Sequence, residues 1–111
     1  MIKLLFKATG KEKTIEKDEL ELLTKVAEEG DADAQYCLGE LYYKGEGLAK
    51  DLKKAVYWYT KAAETGWGHA GAIKRLVDCY SNGEGVEKDL EKAKFWQDKA
   101  ESYENHGFIE V

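Results

Sequence analysis

Two residue types of this sequence are the ones that most often carry nucleophilic or metal chemistry: the histidines His69 and His106 and the cysteines Cys37 and Cys79. Neither histidine belongs to a metal or nucleophile pattern, and neither cysteine has a partner at zinc-ligand spacing. A disulfide needs Cα atoms within about 7 Å, closer than stacked helices usually bring them. We therefore expect surface histidines near helix ends and buried free thiols.

Two glycine-rich loops could in principle bind a phosphate group. Gly45-Glu46-Gly47 and Gly83-Glu84-Gly85 both lack the preceding strand and the lysine of a phosphate cradle. The acidic residues are spread along helical patterns and do not form a pair suited to acid–base catalysis. The sequence thus predicts no catalytic residue, no cofactor and no metal, and the protein is not expected to be an enzyme.

The same two loops belong to an internal repeat. The segment 45–55, GEGLAKDLKKA, returns 38 positions later as 83–93, GEGVEKDLEKA, and Trp58 pairs with Trp96 at the same offset. Repetition at this period indicates supersecondary units that must stack to bury their apolar faces. The elements that position any functional residue are therefore stacked units, and function is expected on an extended surface.

The units are predicted to be helical, because the chain contains no proline and its apolar residues recur at helical spacing. The stripe that includes Ile15, Leu22 and Leu23 indicates a first helix over 15–29. Further helices are predicted at about 32–44, from Asp51 to about 64, 69–82 and 89–103, the last with Leu90 in its apolar stripe. Gly45 should end the second of these and Asp51 should cap the third.

The ends of the chain follow the repeat less well. Residues 1–14 read as a short strand or an N-terminal cap, and 15–29 as a capping helix. Repeat one is assigned to 30–66 and repeat two to 67–103, with Trp67 in an inserted turn, where it contacts a partner or plugs the edge of the stack. The tail 104–111 is expected to fold back so that Phe108 and Ile109 cover the last helix pair.

Charge and size exclude several classes of protein. The 111 residues suit a single domain, and the net charge is −5, with nine acids against three lysines in residues 12–33. Nucleic-acid binding needs a basic face, and a membrane span needs about 20 apolar residues. A basic protein partner or a solvated acidic helix face both fit this charge. With no recognisable secretory signal, a cytoplasmic location is expected.

Together these motifs resemble the Sel1-like repeats, relatives of the tetratricopeptide repeats. The first unit carries the resemblance in Gly30-Asp31-Ala32-Asp33-Ala34-Gln35-Tyr36, Leu38-Gly39, Tyr42-Tyr43-Lys44-Gly45-Glu46-Gly47, Lys54-Ala55, Trp58-Tyr59 and Ala62-Ala63. The second unit keeps most of them but has Val77 at the glycine of the leucine-glycine pair. The resemblance implies an all-α, right-handed superhelix, a short solenoid of about two helix-turn-helix repeats with capping ends.

The resemblance also implies where a partner binds. Residues at the spacing of the buried stripe should form the core: Leu38, Tyr42, Ala55, Trp58 and Ala62. The first helix of each unit should line a concave face, which by analogy with tetratricopeptide packing exposes Asp33, Tyr36, Glu40, Tyr43 and Lys44 in one unit and Lys74, Asp78 and Ser81 in the next. Alternatively, Tyr36 and Tyr43 pack against the adjoining repeat.

Two functions fit this expectation. One is a protein-interaction adaptor that presents its concave face to a protein or peptide. The other is a stand-alone inhibitor, such as a bacterial immunity or antitoxin protein, which suits a short acidic chain. Since exposed end helices could pair two copies, the protein is expected to be a monomer or a weak homodimer.

Overall fold

A computed structural model describes residues 17–66 and 68–109, with side chains through 101. All regular structure within these ranges is helical. The helices are α1 (Lys17–Glu28), α2 (Ala32–Lys44), α3 (Leu52–Glu64), α4 (Ala70–Asn82) and α5 (Leu90–Ile109). The predicted all-α fold and the predicted bounds of α2 are confirmed.

The helix ends lie where the turn residues of the sequence place them. The carboxylate of Asp31 accepts a hydrogen bond from the Ala34 amide at 3.0 Å, and Asp51 caps α3 in the same way. Gly45 ends α2 at φ 70° and ψ 38° and donates its N–H to the Leu41 carbonyl at 2.8 Å. A side chain would strain this left-handed conformation, which explains why glycine recurs at residue 83.

Consecutive helices pack against each other, and α2 also contacts α4 across the repeat boundary. The larger core joins α3, α4 and α5 around Tyr59, Ile73 and Leu76, all with no exposed surface. A smaller core joins α1, α2 and α3 around Leu23 and Leu38. Contact between first helices of successive units is the arrangement of a helical solenoid, as predicted.

Most of the predicted core is buried, with a few exceptions. Leu38, Ala55, Trp58 and Ala62 are buried, while Tyr42 is half-buried against both cores. Leu22 and Leu90 were expected in buried stripes, but 49% and 62% of their surfaces are exposed. Hydrophobic spacing identifies the face of a helix but not whether a neighbouring element reaches its edge.

The C-terminal segment differs from the prediction. Helix α5 continues to Ile109, so residues 104–109 extend the helix where a tail folding back was predicted. The predicted covering role of Phe108 and Ile109 concerns side chains outside the described ones. The predictions for residues 1–14 and for Trp67 also lie outside the described residues.

Candidate partner-binding surface

One face of α2 carries most of the predicted binding residues of the first unit. Asp33, Tyr36, Glu40 and Tyr43 follow each other at intervals of three or four residues, which places them on the same side of the helix. This side contacts α4 of the second unit. The predicted residues are therefore brought together, but at the junction of two repeats.

Glu40 is the centre of this junction. Its carboxylate accepts two hydrogen bonds from the Arg75 guanidinium, Nε at 2.6 Å and Nη2 at 3.1 Å. It also accepts a hydrogen bond from the Tyr59 hydroxyl at 3.0 Å, and Lys44 Nζ lies 3.2 Å from Glu40 Oε1. Only 16% of the Glu40 side chain is exposed. Glu40 was expected to face a partner freely, and the structure instead makes it an anchor between the two units.

The electrostatics follow from this geometry. Burial raises the pKa of Glu40, but the Arg75 and Tyr59 hydrogen bonds and the nearby positive charge outweigh burial and lower the pKa to about 2. Burial and the negative Glu40 raise the pKa of the Tyr59 hydroxyl far above its usual value. Glu40 is thus an ionised acceptor and Tyr59 a neutral donor at physiological pH.

The N-terminal end of the stripe is held by a histidine. His69 caps α4, because its Nδ1 accepts a hydrogen bond from the Ala72 amide at 3.3 Å. Its Nε2 therefore carries the proton and donates a hydrogen bond to the Asp33 carboxylate at 3.1 Å. The imidazole stacks on Tyr36 with ring centroids 4.4 Å apart. His69 was expected to be a surface residue near a helix end; it does lie at the start of α4, but its side chain is half-buried.

The C-terminal end of the stripe is held by Tyr43. Its hydroxyl donates to Glu84 at 3.0 Å, and the Arg75 guanidinium lies 4.9 Å from its ring centroid, within the range of a cation–π contact. Tyr36 and Tyr43 both contact the second unit, which was the alternative prediction for them. Both remain half-buried, so part of each ring still faces solvent.

The predicted residues of the second unit lie further along the surface. Lys74 and Asp78 are exposed on α4, and Ser81 is half-buried. Lys74 and Asp78 line a groove between α4 and α5 and make no hydrogen bond or ion pair with the α2 stripe within the described residues. The predicted residues therefore lie partly in a hydrogen-bonded junction and partly in a separate groove, and α4 contributes to both.

Sequence reasoning missed Arg75, which connects the junction. Its repeat equivalent in the first unit is Cys37, so comparison of the units gave no indication of a role. One available signal was composition: Arg75 is the only arginine among 17 basic residues. A planar fork of donors suits a two-point carboxylate contact better than lysine does.

No catalytic arrangement is found in the part of the chain that the structure describes. Residues 17–66 and 68–109 contain no group of three or more His, Cys, Asp or Glu side chains that could hold a metal ion. Cys37 and Cys79 are free, as expected, but only Cys79 is buried, whereas Cys37 is half-buried. Burial raises the pKa of the Cys79 thiol to about 12. None of the described helices has the length and apolar character needed to cross a bilayer.

Stacked helix pairs whose first helices share one face and meet through interlocking side chains define a helical repeat protein of the tetratricopeptide-like class. The chain belongs to the Sel1 repeat family, which it matches at residues 32–66 and 71–101. Sel1 repeats generally mediate protein–protein interactions and are typically non-catalytic.

Solved structures of Sel1 repeat proteins share this fold. A Sel1 repeat protein from Oxalobacter formigenes is 38% identical over 76% of this chain, with a TM-score of 0.71. The Escherichia coli protective antigen c5321 is 31% identical over 76%, with a TM-score of 0.71. The chain covers 24% and 18% of those two chains.

Among curated proteins, the chain is similar to the ubiquitin-protein ligase component HRD3A of Arabidopsis thaliana. The two are 37% identical over 60 residues, which is 53% of this chain and 9% of HRD3A. The chain thus spans only a small part of the length of this relative.

Proposed function

We propose that this protein is a non-catalytic interaction module that binds a partner protein or peptide on the face shared by α2 and α4. The observation that carries the proposal is the two-point contact of Arg75 with Glu40, at 2.6 and 3.1 Å. This contact fixes the side chains around it before any partner arrives. A surface ordered in advance loses less entropy on binding.

The exposed groups of this face indicate the chemistry of the partner. The Asp33 side chain is 89% exposed and that of Lys44 is 47% exposed, while the half-buried Tyr36 and Tyr43 offer aromatic surface with polar tips. Tyrosines held in place are frequent anchors in interfaces. A segment with an apolar anchor flanked by charges of both signs would complement this face.

The relatives agree with this class of function. HRD3A is a component of an ERAD-associated E3 ubiquitin-protein ligase. A cytosolic location is part of the proposal, since Cys37 and Cys79 are free and thiols stay reduced in that compartment. The expected weak preference for a basic partner rests on the acidic residues 12–33 alone.

Matched charge reversals test the proposal. Lys44→Glu changes the proposed face, and Lys61→Glu changes an exposed lysine on α3. Both variants change the net charge equally. Like charges brought together in an interface cost several kcal/mol, so the first variant should lose at least about tenfold in affinity for the partner captured from native lysate.

The control variant should retain the partner, and the circular dichroism spectra of both variants should match the wild type. If Lys61→Glu releases the partner while Lys44→Glu retains it, the proposed face is wrong. The alternative of a stand-alone inhibitor predicts that the captured partner is a single toxin or effector and that its activity is lost on binding. Several weaker partners would favour the adaptor.

A further inference from the structure

A groove lies between α4 and α5, on the far side of α4 from the Glu40 junction. Its volume is about 450 Å³. It is lined by Lys74, Val77, Asp78, Gln97, Ala100 and Glu101. The side chains of Lys74, Asp78, Gln97 and Glu101 are exposed, and Ala100 forms a buried floor.

The internal repeat shows what such a groove can hold. The residues 38 positions earlier are Tyr36, Gly39, Glu40, Tyr59, Ala62 and Ala63. In the first unit these residues are covered by α4, whose Ile73 and Leu76 share a core with them and whose Arg75 contacts Glu40. The groove between α4 and α5 is therefore the second copy of a helix-binding site.

The second copy of the site differs from the first at two neighbouring positions, and one change makes room for the other. Gly39 is required in the first unit because the Tyr59 ring lies against it, so that a Cβ there would be 2.6 Å from two ring carbons. In the second unit Val77 replaces that glycine and Gln97 replaces the tyrosine. The shorter, flexible glutamine leaves room for valine, which explains the departure from the leucine-glycine pair without loss of the site.

The charges of the groove indicate the partner. Asp78 occupies the position of Glu40, the residue that receives an arginine in the first unit. Glu101 adds a second carboxylate where Ala63 stands, against the single positive charge of Lys74. A helix in this groove would therefore bind more tightly if it carried a basic residue about one turn away from the small and aliphatic residues that contact the groove.

We infer that the groove between α4 and α5 docks an amphipathic helix of a partner protein, with a stripe of small and aliphatic residues and a lysine or arginine for Asp78. This surface uses α5 and not α2, so the inference does not depend on the α2 face. The polar rim suits a reversible contact more than a permanent stack of repeats.

Helix α4 covers the equivalent site in the first unit, so a peptide of this helix is a suitable probe of the groove. We would use a capped peptide of residues 69–82 with Cys79→Ala and with its own Lys74 and Asp78 joined as a lactam. Both of those side chains are exposed in α4 and spaced i to i+4, so the link holds the helix without occupying the contact face. Amide chemical shifts of the ¹⁵N-labelled full chain would report binding.

The peptide should shift the amides of Val77, Gln97 and Glu101 in a saturable manner and leave Ala62 and Ala63 unchanged, because α4 already covers those two. Asp78→Lys in the protein should weaken binding by about three- to tenfold, the scale of reversing a partly exposed ion pair. A peptide with Arg75→Glu should recover that loss on the Asp78→Lys protein. Lys44→Glu, on α2, should leave the peptide affinity unchanged.

Absence of saturable shifts at the groove with 1 mM peptide would overturn the inference, including the case in which another segment of the same chain already fills it. Equal affinity of the wild type and the Asp78→Lys protein would overturn the assigned charge. Concentration-dependent shifts at Gln97 and Glu101 in the protein alone would show that a second copy is the occupant, which contradicts the partner assigned here.

Discussion

Replacing Glu40 by glutamine should destabilise the protein by an amount that depends on pH. Glu40 links α2 to α4, and its pKa falls from an ordinary value of 4.5 to about 2. At about 1.4 kcal/mol for each tenfold change in proton affinity, this corresponds to about 3 kcal/mol in favour of the ionised, paired form. Glu40→Gln keeps the size of the side chain and removes that contribution.

The sign of the pH dependence follows from the lowered pKa. Between about pH 2 and 4.5 the unfolded chain binds more protons at Glu40 than the folded protein does, so stability falls as the pH falls. The full contribution is present above about pH 4.5. At pH 3.5 the difference in free energy of unfolding between the wild type and Glu40→Gln should be smaller by about 1.4 kcal/mol than at pH 7, and near pH 2 most of the difference should be lost.

Urea denaturation of both proteins at pH 7 and pH 3.5, followed by circular dichroism, measures this difference. The other acidic residues are the same in both chains and cancel. As a control, Asp98→Asn removes the exposed Lys94–Asp98 pair, whose side chains are 74% and 58% exposed, and should cost less than about 0.5 kcal/mol. A Glu40→Gln effect that is equally large at both pH values would refute the reasoning.

Three further predictions concern single positions. Gly39→Ala should destabilise the protein by about 1–3 kcal/mol in urea, because the Cβ would lie 2.6 Å from carbons of the Tyr59 ring, and an unchanged midpoint would show that the ring moves freely. Iodoacetamide at pH 8 should react first with the half-buried Cys37 and should alkylate Cys79 only on unfolding, because the Cys79 thiol is buried with a pKa of about 12. Mass spectrometry of partly labelled protein measures the order, and labelling of Cys79 before Cys37 would contradict the prediction. His69→Ala should lower stability by about 1 kcal/mol and His69→Asn should restore it, because asparagine also caps helices, whereas equal melting temperatures would argue against the capping role.

The sequence was sufficient to predict the helices, because their ends are specified locally. Gly45 and Asp51 each act within a few residues of their own position, and the bounds of α2 agree with the prediction. The repeat further indicated which residues are buried in both units. The prediction that Leu22 and Leu90 are buried was wrong, because their exposure depends on neighbouring elements and not on spacing along one helix.

The candidate site was harder to predict because its contacts join distant residues. Glu40 and Arg75 are 35 residues apart in the sequence, and nothing near either residue indicates the other. Repeat comparison also fails where two units differ, and Arg75 has a cysteine as its counterpart. The capping role of His69 was not predicted for a related reason, since aspartate occupies the capping position of both α2 and α3.

The loops that close each helix pair have a consequence for how the chain folds. In both units the hydrogen bonds of the loop join residues close in sequence, such as Asp51 N–H to the Tyr42 carbonyl and Asp89 N–H to the Tyr80 carbonyl, both at 2.9 Å. Because these contacts are local, each hairpin can form quickly. The Glu40–Arg75 and Tyr43–Glu84 contacts are among those that tie one hairpin to the next. The free energy at this junction thus determines whether the two units unfold in one cooperative step or one after the other, and a ligand spanning α2 and α4 would make the unfolding more cooperative.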